Sequence, residues 1–253
     1  MTTIGIIYKK EDPIISGTAL QVEKELKKAG YKINLEQAKF VITFGGDGTI
    51  LKAARKIADT RKPILGIHLG GVGFLTEIEL EELKNAIQLI RQGKYIIDER
   101  AMLEATIGGR KMLALNDLVL AKSGISRVIK FELEEIGKYT ADGLIISTAS
   151  GSTAYNLAAG GPILTPPSKS LIVSAICAHS LSNRSLVLDG PLSIILQRGE
   201  GVIVTADGQV VLPIKAGQRL LVRRSNLKTR FIRLKGYNFF EKLRDTFSFG
   251  KGN

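Results

Sequence analysis

Apolar residues in the first hundred positions follow two alternating rhythms. Ile4 to Tyr8 is a short apolar run of strand length, and Ala19 to Lys28 carries helical spacing closed by Gly30. Phe40 to Phe44 is a second β-rich run, ending directly in Gly45 and Gly46. From Thr49 onward, Ile50, Leu51, Ala54 and Ile57 fall on one helical face. Pro63 precedes the strand Ile64 to Ile67, and Glu79 to Arg91 reads as a helix that stops at Gly93. Strands alternating with helices predict a parallel sheet covered by helices.

After Glu99 the rhythm changes. Met102 to Ile107 and Met112 to Leu120 flank Gly108-Gly109, a hairpin signal. Val128 to Ile136 and Leu144 to Ser147 follow at strand length. Later come Val202 to Thr205, the turn Asp207-Gly208, Val210 to Ile214, Arg219 to Arg223 and Thr229 to Leu234. Short strands punctuated by glycine predict an all-β second domain, a sandwich or a barrel. Asn238 to Phe247 returns to helical spacing, with Phe240, Leu243 and Phe247 in register to pack back on the first domain. The division expected is an α/β domain over 1–100, an all-β domain over 101–235, and a C-terminal helix and tail over 236–253.

Composition narrows the class. A 253-residue chain with 44% hydrophobic and 24% charged residues is globular and long enough for a large buried core. No apolar stretch approaches the ~20 residues of a membrane span, so no membrane partner is expected. Cys177 stands alone, which excludes an internal disulfide and points to a reducing, cytoplasmic setting. One Cys and two His make a soft-metal site built from them an unsuitable expectation. Any metal should be magnesium held by carboxylates and phosphates.

The net charge of +12 fits nucleic acid, a polyanionic small molecule or a solvated surface. Its Lys and Arg residues are spread along the chain, and no zinc-finger, ribonucleoprotein or basic-zipper pattern is present. A nucleic-acid partner is therefore not expected.

Gly45-Gly46-Asp47-Gly48-Thr49 lies between a predicted strand and a predicted helix. Glycines there let the backbone approach a phosphate, and a helix N-terminus offers free N–H groups. Thr49 is the expected N-cap. Asp47 is the odd residue, since a carboxylate repels phosphates. It makes sense as the acceptor of a proton from an attacking hydroxyl, or as a magnesium contact. Neither the GxxxxGK[ST] phosphate loop nor the GxGxxG fingerprint occurs.

The pentapeptide resembles a signature shared by NAD kinases, 6-phosphofructokinases and the diacylglycerol and sphingosine kinases. Five further segments are similar to the NAD kinase family, in order. They are Gly66 to Gly70 with Gly73-Phe74-Leu75, Asn116-Asp117, Asp142 to Ile163, His179 to Arg184, and Asp207-Gly208-Gln209. Three positions depart from the family pattern: His68 stands for Asn, Asp117 for Glu and Ser185 for Pro.

The resemblance implies transfer of the γ-phosphoryl of ATP, or of polyphosphate, to the 2′-hydroxyl of the adenosine ribose of NAD. Magnesium or another divalent cation would accompany ATP, and Asp47 would be the general base. It implies that Asn116 and Asp117 hold the nicotinamide-side ribose. Thr153, Ala154, Tyr155, Asn156, Leu157 and Ala158 would line the NAD site, with Asp142 nearby and Gln209 in the last motif. The hydroxyl-rich run Ser147 to Thr153, including Ser150, suits hydrogen bonding to a nucleotide. Arg127 and Lys138 are candidate basic contacts, and Lys52, one helical turn after Gly48, is a candidate phosphate contact. A homodimer or homotetramer is implied as well. Two other readings stand beside it: a non-catalytic NAD(P) sensor, and a lipid or sugar kinase that shares only the Gly45 to Thr49 turn. Asp47 weighs against the sensor, because pure binding needs no base.

Overall fold

The computed structural model describes residues 2–71, 73–124, 128–180, 183–234 and 236–248. The chain forms two compact units, Met1–Glu99 with Thr229–Asn253, and Arg100–Lys228.

The first unit begins with strand β1 (Thr3–Tyr8), helix α1 (Pro13–Lys28), β2 (Lys32–Ile33) and β3 (Phe40–Phe44). Helix α2 (Asp47–Lys56), β4 (Ile64–His68), β5 (Ile78–Glu79) and α3 (Leu83–Arg91) complete its N-terminal part. Every strand pairing here is parallel: β1 lies between β2 and β3, and β4 between β3 and β5. Each residue of β3 and β4 is buried, as expected of strands covered on both faces. The core joins Ile4, Ile42, Phe44, Leu65 and Ile67 of the strands to Val22 and Leu26 of α1 and Leu83 and Ile87 of α3.

Helix α1 starts six residues before the expected Ala19. Asp12 caps it, accepting from the amides of Ile14 (3.1 Å) and Ile15 (3.2 Å), and Pro13 takes the first turn, where its missing N–H costs nothing. Asp12-Pro13 is a helix-start signal, but exposed Ile14 and Gly17 interrupt the amphipathic pattern that follows it. The segment read as a helix from Glu79 begins as a short 3₁₀ turn closed by a Glu79/Glu82 capping box, and α-geometry starts at Leu83.

The second unit is made of antiparallel strands. Strand β6 (Tyr95–Ile107) enters it from the first unit and pairs through Leu103–Ile107 with β7 (Arg110–Ala114), the expected Gly108-Gly109 hairpin. The run read as one strand to Leu120 breaks at Leu115-Asn116, and β8 (Asp117–Lys122) joins a different sheet. Next come β9 (Ile129–Leu133), β10 (Gly137–Ala141), β11 (Gly143–Ser147) and the one-turn helix α4 (Tyr155–Ala158). The unit continues through β12 (Leu171–Ile176), β13 (Leu186–Leu188), β14 (Leu192–Arg198), β15 (Val202–Ala206), β16 (Val210–Pro213) and β17 (Arg219–Leu234).

One sheet has the order β13-β12-β11-β8-β15-β16. A second set runs β10-β9-β14 and then the first half of β17, through Leu192 opposite Val222. One apolar core is shared by inward residues of both, among them Leu118, Leu120, Ile146 and Val204 with Phe131, Leu133, Ile194 and Leu220. That is the strand-rich unit that the short, glycine-punctuated strands predict.

The runs Arg219 to Arg223 and Thr229 to Leu234 form one continuous strand, whose second half belongs to the first unit, where Phe231 pairs in parallel with Ile64. Helix α5 (Phe239–Phe247) follows, capped by Asn238. The Phe239 and Phe247 rings pack on Phe74 at 5.7 and 6.0 Å, so the C-terminal helix does return to the first unit.

Candidate active site

Between β3 and α2 the chain turns over Gly45 and Gly46. Gly45 has φ of +131°, and a Cβ there would lie 2.6 Å from Thr49 Oγ1, so only glycine fits. The helix opens at Asp47, two residues before the expected start. Gly46 is the N-cap and Thr49 sits buried inside the first turn, its amide on the Gly46 carbonyl at 3.0 Å. A carboxylate in the first turn suits the positive end of a helix, which lets Asp47 replace a capping hydroxyl as the opening residue.

Both oxygens of Asp47 are held. Oδ2 accepts from the amide of Phe74 and Oδ1 from that of Leu75, each at 2.9 Å. A Cβ on Gly73 would fall 2.3 Å from Asp47 Oδ1. The second glycine-rich segment is therefore the clamp on the carboxylate of the first. Thr76 Oγ1 ties off this turn through the Gly73 amide at 3.1 Å. His68 ends the preceding strand, buried, with Nδ1 3.1 Å from the Gly70 carbonyl. Asp47 itself is half-buried between exposed Gly46 and Gly48, and each oxygen retains acceptor capacity for a further hydrogen bond. Lys52 lies on α2, exposed.

In the second unit, three motifs far apart in sequence meet at one end of three adjacent strands. Strand β8 starts at Asp117, opposite Ser147, where β11 ends. Strand β15 ends at Ala206, opposite Leu118. The turn that follows brings Asp207 over the 115–117 backbone, where its carboxylate accepts from the amides of Leu115 (3.1 Å), Asn116 (2.7 Å) and Asp117 (3.3 Å). From the β11 side, Thr148 donates its hydroxyl to the Leu115 carbonyl at 2.7 Å and its amide to the Asn116 carbonyl at 2.9 Å. Gly151 packs so closely that a Cβ would lie 2.2 Å from the Asn116 carbonyl oxygen. Asn116 and Asp117 thus sit in a backbone fixed from both sides.

Asn116 is 9% exposed, and its side-chain Oδ1 is buried with no hydrogen-bond partner. An orphaned buried acceptor is costly, and one in a native fold calls for an explanation such as a ligand, an ion or a water. Beside it, Asp117 is 6% exposed. Burial, and then the nearby Asp207 carboxylate, push the Asp117 carboxyl up to about 7.

The remaining predicted residues divide. Ser150 is buried and accepts from Arg100 Nη1 at 3.3 Å, and Thr153 donates to the Ser150 carbonyl at 3.3 Å. Tyr155 is exposed, whereas Asn156 is fully buried and engaged with protein. Its Nδ2 donates to the carbonyls of Ser152 (3.1 Å) and Pro162 (3.0 Å), and its Oδ1 accepts from Ser174 at 2.8 Å. Ser174 lies 2.8 Å from the hydroxyl of Ser185, so a side-chain link stands where the family has proline. Ala154 and Leu157 are half-buried and Ala158 exposed along the same turn, and Asp142 is half-buried between β10 and β11. Lys138 is exposed on β10 opposite Glu132, and Gln209 is exposed in the turn after β15. Arg127 lies outside the described residues. The sequence placed Asp207 in a turn and in the last family motif without giving it a role, and buried Arg100 carried no signal beyond being one charge among many.

Residues 8–95 match the ATP-NAD kinase N-terminal domain and residues 115–234 the ATP-NAD kinase C-terminal domain. The chain belongs to the NAD kinase family. It is 38% identical to the NAD kinase of Desulforamulus reducens over 96% of this chain and 86% of that protein. It is 41% identical to the NAD kinase of Geotalea daltonii over 85% of this chain and 80% of that one. Among solved structures, the yeast NADH kinase complexed with NADH superposes with a TM-score of 0.91 at 20% identity, covering 100% of this chain and 89% of that one. An NAD kinase from Archaeoglobus fulgidus in complex with ATP superposes at 0.78 and 24% identity, covering 98% of each chain. At those identities the two structures speak for an NAD kinase fold. Among the described residues no helix is long and apolar enough to cross a membrane.

Proposed function

We propose that this chain is a working NAD kinase with Asp47 as its general base. It takes ATP and NAD and forms ADP and NADP. In the reaction proposed, Asp47 accepts the proton of the 2′-hydroxyl on the adenosine ribose of NAD. The ribose oxygen forms a bond to the γ-phosphorus while the bond from that phosphorus to the β,γ-bridging oxygen breaks. ADP leaves with the electron pair. A sugar hydroxyl is a poor nucleophile at neutral pH, and a positioned base is worth roughly 10²–10⁴-fold.

The observation that carries the reading is the orphaned Oδ1 of Asn116, set in a backbone that Asp207, Thr148 and Gly151 hold rigid. It is an acceptor prepared for a donor that NAD's ribose hydroxyls or amide supply. Asp117 beside it, and the turn bearing Thr153, Ala154, Tyr155, Leu157 and Ala158, extend the same surface. Asn156 serves that surface by fixing the turn. Asp142, Lys138, Gln209 and Arg127 remain assigned to NAD contact on the family resemblance. Gly45, Gly46, Gly48, Thr49 and Lys52 are assigned to the phosphates.

Among the described residues, no group of three or more His, Cys, Asp or Glu side chains is placed to hold a metal ion. The donor set suits magnesium carried by the phosphate oxygens of ATP, which needs only one or two protein carboxylates. No protein ligand is assigned to the ion, because Asp47 must keep a free lone pair for the ribose proton. The ion would neutralise charge on the transferring phosphoryl group. We further assign the protein to the cytoplasm and to a homodimer or homotetramer, from its single cysteine and the family resemblance respectively.

The test is incubation of purified protein with NAD, ATP and magnesium, with NADP followed through an NADP-specific dehydrogenase. Magnesium-dependent NADP formation that disappears in Asp47→Asn supports the assignment. No NADP with ATP, polyphosphate or another nucleoside triphosphate would overturn it and leave a nucleotide sensor.

A further inference from the structure

The turn that clamps Asp47 is itself held by the C-terminal return of the chain. Arg233 is fully buried, and its guanidinium reaches three acceptors: Glu77 Oε2 at 2.9 Å, Asp98 Oδ2 at 3.1 Å and the Leu75 carbonyl at 3.1 Å. Glu77 also receives the Leu234 amide at 2.8 Å. The guanidinium lies over the rings of Phe231 and Tyr237, 4.9 and 4.3 Å from their centroids. One residue further along the turn, the Lys242 ammonium of α5 donates to the Thr76 carbonyl. Phe74, whose amide binds Asp47 Oδ2, has its ring packed by Phe239 and Phe247 of the same helix.

The arrangement is more elaborate than packing requires. A buried guanidinium carries a large desolvation cost and is tolerated here through two carboxylates and a fixed backbone oxygen. Its Nε and Nη1 meet all three at once in a planar fork that a lysine ammonium cannot reproduce, while the buried Nη2 has no hydrogen-bond partner among the described residues. Leu75 gives its amide to Asp47 and its carbonyl to Arg233, so any movement of the guanidinium is passed to the carboxylate through a single residue.

We infer that Arg233 and Lys242 are positioning residues for Asp47, orienting the proton acceptor by fixing residues 73 to 77. The inference rests on Asp47 being the base. A general base works only within hydrogen-bond reach of its proton, and misplacement by about 1 Å can cost 10²-fold.

Steady-state kinetics on the full chain test it, with Asp47→Asn, Lys242→Met, Lys242→Arg, Arg233→Lys and a control, Arg244→Ala, from the exposed side of α5. Lys242→Met and Arg233→Lys should each lower kcat by about 10-fold or more and move KM for NAD by no more than about twofold. Lys242→Arg, which keeps a donor at that place, should recover most of the loss, and Arg244→Ala should match the parent. If Arg233→Lys fails to fold, Lys242→Met with its Arg rescue decides alone. Loss of activity in Asp47→Asn with unchanged kcat in Lys242→Met overturns the positioning role while leaving the base in place. A rise in KM with kcat unchanged overturns it too. Full activity in Asp47→Asn removes the base and the positioning role together.

Discussion

The carboxylate of Asp207 closes on the backbone of Asn116, with 2.7 Å between Oδ1 and the amide nitrogen, across ninety-one residues of chain. The same side chain also takes the amides of Leu115 and Asp117, so one residue satisfies three buried donors at the break between β7 and β8. Asp207→Ala would strand all three. We expect a loss of about 2–4 kcal/mol in urea unfolding, and a raised KM for NAD because Asn116 is no longer fixed. Asp207→Asn keeps one acceptor oxygen and should cost less. Equal stability of the alanine variant and the parent would show that Asp207 does not organise this end of the sheet.

That relationship shows where sequence stops being informative. The strand–helix alternation, the Gly108-Gly109 hairpin and the helix at Asn238 are local, because apolar spacing and turn chemistry are written into neighbouring residues. Asp47 was legible for the same reason, as a charge where charge is out of place. Its clamp was not, because the Phe74 and Leu75 amides look like any others until the turn has folded. Asp207 read as a turn residue, and its left-handed backbone, φ +51°, belongs to a turn. Only the pairing of β15 with β8 turns that residue toward Asn116. Arg233 was lost among 36 basic residues, since nothing in a sequence separates a buried guanidinium from a solvated one.

Asp117 gives the protein a pH dependence near neutrality. Its carboxyl is moved from an ordinary 3.8 to about 7, by burial first and the Asp207 charge second. Below about pH 4 the group is protonated whether the chain is folded or not. Between there and pH 7 only the folded chain holds the proton, so this group's contribution to stability falls as pH rises across that window. Above it, the buried charge costs the fold its full penalty. Asp117→Asn removes the ionisation. Its melting temperature relative to the parent should therefore rise between pH 5 and pH 8. A difference that stays constant with pH would rule out the shift.

Gly73→Ala tests the clamp from the other side. The added methyl carbon would sit 2.3 Å from Asp47 Oδ1, and the carboxylate must yield because the turn is tied through Thr76, Leu75 and Glu77. The variant should fold, because Gly73 is outside the left-handed region that only glycine tolerates. We expect kcat to fall by about 10²-fold while NAD still binds, as measured by steady-state kinetics alongside calorimetric titration. Near-parental turnover would mean that Asp47 need not hold the position seen here.

Asn116→Ala separates a binding role from a structural one. In most buried sites, truncating a polar side chain removes a hydrogen bond and destabilises the fold. Here the Oδ1 atom has no partner to lose, so truncation relieves an unsatisfied buried acceptor. Thermal stability should be unchanged or slightly higher. Affinity for NAD should nonetheless fall by about tenfold, the worth of one hydrogen bond to a desolvated group. Calorimetric titration with NAD and a thermal melt on the same preparation read both quantities. If stability falls and affinity does not, the residue is a piece of the fold, and the acceptor at the sheet end has no part in holding NAD.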